Sequence, residues 1–339
     1  MMKKASLILL LLAGFAACKT KKNIPDVSGI PVTVKLERFD QGFFETDSIR
    51  PEEGLAHLQQ QFPGFYPDFM EGLLGVNGSP IDTNTIRATQ MLLTRYRSLY
   101  STVQPLYKNT ADLEKNIAQG FRFVKFYFPE YKLPGLITFI STLDAPGIAL
   151  TNKYIAIGLQ QYAGKDFPGY QDEGVKQLYP AYISRRFEPA FIPANCIKAI
   201  ITDMFPDNSG ILPLAGQMIE KGKQWWLLDQ LMPETADSLK TGYTTDQLKW
   251  CNANEGLIWS YILKNENLQS VDPATIQTYI GEGPFTQGFS QESSPGNIGQ
   301  WIGWRIVQKY ADKHPELKPT DIMRTDPKKI LEESTYKPK

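Results

Sequence analysis

Histidine is nearly missing from this chain: His57 and His314 are the only two among 339 residues. Most catalytic zinc sites need at least two convergent imidazoles, and a hydrolytic triad needs one well-placed base. His57 lies in the polar helical stretch Leu55-Ala56-His57-Leu58-Gln59, and His314 in Asp312-Lys313-His314-Pro315, so both read as surface residues. Cysteine is as scarce, with three: Cys18, Cys196 and Cys251. Net charge is zero, with 36 Lys and Arg against 36 Asp and Glu. Nucleic-acid binders carry a basic excess, so no nucleic-acid partner is expected. Past Ala17 no apolar run approaches the length needed to span a bilayer, about 20 residues. Phosphate-cradling glycine loops, CxxC pairs, HExxH and GxSxG are all missing, and no cofactor or metal is expected. No internal repeat and no Pro/Ser-rich linker divides the chain.

What is present starts at the first residue. Met1-Met2-Lys3-Lys4 is a basic head, Ala5 to Ala17 is an apolar run, and Ala16-Ala17 precede Cys18. Residues 1–17 therefore read as a secretory signal peptide. The small residues before Cys18 resemble a bacterial lipoprotein lipobox, with Phe15 where leucine is the norm. That likeness implies cleavage before Cys18 and acylation of its thiol and new amino group. The alternative is an ordinary cleaved signal with Cys18 unmodified. Residues 18–30 read as a tether whose Lys19, Lys21 and Lys22 suit anionic lipid headgroups. More than one acyl chain gives stable anchoring. The expected partner of this end is thus a membrane, reached through a lipid, with the body outside the cytoplasm. No ATP or nicotinamide pool is expected there, which lowers the case for kinases and dehydrogenases. In the bacteria that the resemblance given below points to, outer-surface export tends to use acidic residues just after the lipidated cysteine. The lysines here predict a periplasm-facing body.

Residues 31–339 read as a single domain, α+β in class, mainly helical with a small mixed or antiparallel sheet. Residues 32–39 alternate as a half-buried strand, and 136–141, 147–150 and 154–159 read as further short strands. Helices are expected from Pro51 to about 61, over 84–100 and over 110–126, with an aromatic turn at 62–69 between the first two. From 190 onward the pattern is helical. Thr244-Thr245-Asp246-Gln247 is a capping box opening a helix through Cys251 to Ile262. Gly299 and Gly303 share one face of a helix beginning near Ile298, so a neighbour is expected to pack closely there. Cys196 and Cys251 fall on apolar faces and read as small buried hydrophobes. The alternative is a disulfide between them, contributing roughly 4 kcal/mol in the chain-entropy model.

Three polar clusters stand out. Arg185 and Arg186 are placed to clamp a carboxylate or phosphate, or to sit in a loop salt-bridged to Glu188 or Asp166. Asp203 belongs at the exposed edge of the stripe over 197–205. Asn252 and Glu255, three apart, are expected to share a helix face. No catalytic residue is assigned. Arg185, Arg186, Trp301 and Trp304 are the expected interaction residues, and Cys18 the lipidation site.

Several segments resemble one family. Ile24-Pro25-Asp26-Val27-Ser28, Val34-Lys35-Leu36-Glu37-Arg38-Phe39-Asp40 and Phe126-Tyr127-Phe128-Pro129 are similar to GldB, the gliding-motility lipoprotein of Bacteroidetes. So are Ile137 to Ser141, Pro180 to Phe187, Pro284-Phe285-Thr286 and Pro295 to Trp304. The resemblance implies a role in gliding motility alongside envelope machinery that also serves type IX secretion, with partners among those proteins and no enzymatic activity. A fainter likeness is to predicted zinc proteases of the HExxH type. There the first metal-binding helix would be Ile197 to Phe205, without histidine. The second would place Lys221 where an acidic ligand precedes glycine, so the likeness is to a degenerate zinc-metalloprotease scaffold with the metal site lost. Two alternatives remain: a periplasmic hydrolase using carboxylates such as Glu220, Asp203 or Glu255, and a glycan-binding lipoprotein.

Overall fold

The computed structural model describes residues 24–338. The signal peptide, Cys18 and the lysines of the tether lie outside the described residues. Strands β1 (Leu36–Arg38), β2 (Gly135–Phe139), β3 (Ile148–Leu150) and β4 (Tyr154–Gly158) form one sheet in the order β1-β2-β4-β3. The pairs β1–β2 and β2–β4 are parallel, and β3–β4 is antiparallel. The sheet is therefore mixed. Leu136 faces Leu36 on one side and Ile155 on the other. Strand β2 is buried from Leu136 to Phe139, as the unbroken apolar run of a central strand requires.

The strand expected over 32–39 is confined to three residues. Among the described residues its only sheet neighbour is β2. The Leu36 N–H donates instead to the Glu114 carboxylate at 3.0 Å. Helix α1 (Phe39–Glu45) begins directly after β1. Its Asp40 is fully buried and takes two hydrogen bonds from Arg38, Nε at 2.9 Å and Nη2 at 2.7 Å. Gln104 and the Thr138 hydroxyl also donate to it, and Arg38 Nη1 reaches the Tyr107 carbonyl at 2.7 Å. This polar knot ties α1 to the sheet and to the stretch from Gln104 to Tyr107.

Helix α2 (Glu52–Gln61) is preceded by Pro51 at its N-cap. The aromatic stretch that follows folds back on α1. Phe39 meets Phe62, Phe65 and Phe69 with ring centroids 5.4, 5.1 and 4.8 Å away. The single helix expected over 84–100 is two, α3 (Thr83–Arg95) and α4 (Arg97–Leu106), broken at Tyr96. Past the break, Arg97 donates to the Phe44 carbonyl at 2.6 Å and Tyr100 stacks on Phe44 at 4.7 Å. Helix α5 (Ala111–Tyr127) buries Ile117, Phe121 and Val124 as its periodicity predicts.

The second half is helical: α6 (Glu173–Leu178), α7 (Ala181–Ser184), α8 (Ile192–Met204), α9 (Leu214–Leu231), α10 (Asp237–Thr241), α11 (Thr245–Ala253), α12 (Glu255–Asn265), α13 (Pro273–Ile280), α14 (Ile298–Lys313), α15 (Pro319–Arg324) and α16 (Pro327–Ser334). The capping box at Thr244 and Gln247 is present. The helix it opens ends at Ala253, however, because the Asn254 side chain donates to the Trp250 carbonyl at 2.8 Å and closes the turn. Asn252 and Glu255 therefore belong to different helices.

Helices α9 and α14 form the axis of this half. A Cβ built on Gly303 would lie 1.7 Å from the Met218 carbonyl oxygen, and one on Gly222 would lie 2.1 Å from the Gly303 carbonyl carbon. The two backbones touch where both helices carry glycine. The close approach expected from Gly299 and Gly303 is thus found, with α9 and the Tyr279 end of α13 as the neighbours. Buried side chains of both halves join in one hydrophobic core.

Cys196 and Cys251 are buried free thiols, and burial pushes both up from the ordinary cysteine range. The thiolate is the reactive form. Native protein is expected to leave both unlabelled by a thiol reagent for as long as it stays folded. Denaturation should expose them, as peptide mass spectrometry would show. Labelling of either in the native state would contradict this packing.

Candidate functional site

A cleft of about 960 Å³ opens between α9, α14 and the two ends of the described chain. Helix geometry builds its main wall. Arg305, Gln308, Lys309 and Asp312 follow i, i+3, i+4, i+7 spacing and share one face of α14. That face is opposite Gly299 and Gly303, so packing against α9 leaves it pointing outward. Trp226 and Gln230 contribute from α9, Glu255 from the start of α12, and Tyr127 from the end of α5. Ile24 and Pro25 close one side, and Tyr336 to Pro338 another.

The charged groups here are mostly committed to one another. Glu255 accepts from Arg305 Nε at 3.1 Å and from the Tyr336 hydroxyl at 2.6 Å. Burial, reinforced by that carboxylate, raises the Tyr336 pKa, so the hydroxyl remains a donor. The Tyr336 ring meets Trp259 edge-on at 5.6 Å. Arg305 also donates to Gln308 Oε1 at 2.8 Å and lies over the Trp301 ring at 5.8 Å. Asp229 pairs with buried Lys240, and His314 sits between Glu316 and Glu333 at 3.4 and 3.5 Å.

The residues anticipated from sequence lie elsewhere. Arg185 donates to the carbonyls of Tyr182 at 3.0 Å and Gly242 at 2.9 Å, and to Gln247 Oε1 at 3.2 Å. Arg186 forks onto Glu282, both bonds 3.2 Å. The pairing with Glu188 or Asp166 is therefore corrected. Lys165 sits near those two carboxylates, while the arginines turn toward the α10–α11 connection and residue 282. Trp301 and Trp304 are only 1% and 4% exposed, so their rings belong to the core and not to a surface. Helix α14 buries two sides, and its aromatic spacing gives no sign of which side faces out. Asp203 is exposed, as expected, and accepts from Tyr131 at 2.8 Å. His57 is exposed as well.

The chain matches the family described as gliding motility protein GldB over residues 20–338. It belongs to the GldB family. No curated protein and no solved structure matches it. Family membership carries the gliding-motility role and the lipoprotein character that the segments from Ile24 onward implied. Among the described residues of this GldB-family chain, no helix is long and apolar enough to cross a membrane. In the second of the helices compared above with zinc proteases, α9, Lys221 pairs with Asp207 and Lys223 with Glu220. Buried Lys223 also donates to the carbonyls of Met323 at 3.2 Å and Thr325 at 2.6 Å. It thereby fastens α15 to α9. Among the described residues, no group of three or more His, Cys, Asp or Glu side chains is arranged to hold a metal ion.

The cleft itself was not legible beforehand. Its walls come from six separated stretches of chain, and only the polar stripe of α14 left a local trace.

Proposed function

We propose that this chain is a lipid-anchored, non-catalytic component of the gliding machinery, linked to type IX secretion and facing the periplasm. One observation carries the reading. Ile24 and Pro25 line the cleft, and Cys18 lies six residues earlier. Six extended residues reach about 20 Å. An acyl group on Cys18 therefore holds the body, cleft first, near a membrane surface. The non-catalytic role is supported by the carboxylates that a hydrolase would need. Glu255 is engaged by Arg305 and Tyr336, Glu220 by Lys223 and Asp203 by Tyr131. Partners among other gliding and secretion proteins follow from the family role.

Changing Cys18→Ser is expected to move the protein from the membrane to the soluble fraction and to abolish colony spreading. Protease added to intact cells should leave the native protein whole. A Cys18→Ser protein that stays on the membrane and supports normal spreading would sink the anchoring role. Digestion on intact cells would contradict the periplasmic orientation.

A further inference from the structure

We propose that the cleft between α9, α14 and the C-terminal tail is a binding site for a neutral oligosaccharide. This does not depend on the anchor or on the gliding role. Its volume of about 960 Å³ lies at the upper end of the usual range for ligand sites, roughly 300–1,000 Å³.

The charge pattern selects the class of ligand. Glu255 is balanced by Arg305, Asp229 by Lys240, and His314 by two glutamates. An anion or cation entering here would meet pairs that are already satisfied. Lys309, Asp312 and Lys337 are exposed at the rim, where water and salt screen their charges.

Neutral hydrogen-bonding groups, in contrast, are left over. The Tyr127 hydroxyl and the Gln230 amide are half-buried and have no partner among the described residues. The Gln308 carbonyl accepts from Arg305, which leaves its NH₂ donors free. An amide and a hydroxyl each donate and accept, as sugar hydroxyls do. Tyr127 and Tyr336, both half-buried, supply aromatic surface, which suits the apolar faces of sugar rings. Proline occurs at five lining positions, including Pro25, Pro233 and Pro315. Fixed φ angles stiffen the rim and lower the ordering cost on binding. Engaged charges, unengaged neutral donors and acceptors, and aromatic walls together match a polyhydroxylated, uncharged chain.

The test uses the full-length protein extracted in mild detergent and calorimetric titration with three neutral trisaccharides: triacetylchitotriose, maltotriose and cellotriose. At least one is expected to bind at a single site, and the comparison shows which sugar and linkage is preferred. Gln230→Ala and Gln308→Ala should each weaken that binding by about tenfold, the loss of one or two hydrogen bonds, with thermal stability unchanged. Glu282→Gln, on the Arg186 side of the molecule, should leave binding unaltered. Failure of all three sugars to bind would overturn the proposal. So would binding indifferent to both glutamine changes, or binding of the neutral peptide acetyl-trialanine-amide in preference to every sugar.

Discussion

Gly303→Ala is expected to destabilise the protein by about 3 kcal/mol or more, a large fraction of the stability of a typical domain. The added methyl would be placed 1.7 Å from the Met218 carbonyl oxygen and 2.4 Å from its carbon. Those atoms are backbone within α9 and cannot rotate away as a side-chain tip would. Relief requires the helices to separate. Both are central, and α9 buries residues on more than one face, so separation would open the core along their length. Gly210→Ala is the matched control, since its added Cβ meets nothing within 4 Å. It should stay within about 0.5 kcal/mol of the parent. Chemical denaturation of the three proteins reads the difference. A Gly303→Ala protein with parental stability would mean that α9 and α14 do not cross at this point.

Asp40→Ala is expected to cost about 3–5 kcal/mol, by leaving a charge without its partner. Arg38 is 14% exposed at its side chain, and Asp40 is its fully buried counter-ion. Removing the carboxylate leaves that guanidinium without its counter-charge, although Nη1 keeps the Tyr107 carbonyl, and takes the acceptor from the Gln104 amide. Most of that loss is the penalty of the charge left behind and not the net stability of the pair. Arg38→Met with Asp40→Leu, which removes both charges, should recover a large part of it. Denaturation midpoints of the single and double variants measure the effect. A single variant within 1 kcal/mol of the parent would show that water reaches Arg38. The Gly303 and Asp40 changes lie in opposite halves, so a shared core also predicts that each lowers one common unfolding transition.

The elements that were legible are those set by residues close in sequence. The capping box at Thr244 and Gln247 spans one turn, and its hydroxyl, amide and backbone partners are fixed by that turn. Leu113, Ile117, Phe121 and Val124 repeat at the helical period and are half-buried or buried as expected. Gly299 and Gly303 marked a close contact, since two residues without side chains on one face invite a backbone. What failed was decided at a distance. Residues 32–35 have the alternation of a strand, yet strand pairing in this region is confined to Leu36 to Arg38, where β1 lies beside β2. The breaks at Tyr96 and Asn254 depend on Phe44 and on a side-chain bond that competes with the helix. Trp301 and Trp304 look like contact residues in isolation and are core residues once α9 and α16 cover α14.

By itself the sequence determined the helical character of the second half, a small sheet in the first, and the family through segments spread along nearly the whole length. These follow from local pattern: apolar length, period and short-range capping. The tertiary structure alone decided the partners of the charges and the place of the cleft. Arg186 meets Glu282, ninety-six residues away, and Tyr336 meets Glu255, eighty-one residues away. No spacing rule spans such distances. Only the packing of α14 across α9 turns one face of that helix into the core and leaves the opposite face to line an open cleft beside Ile24 and Pro25.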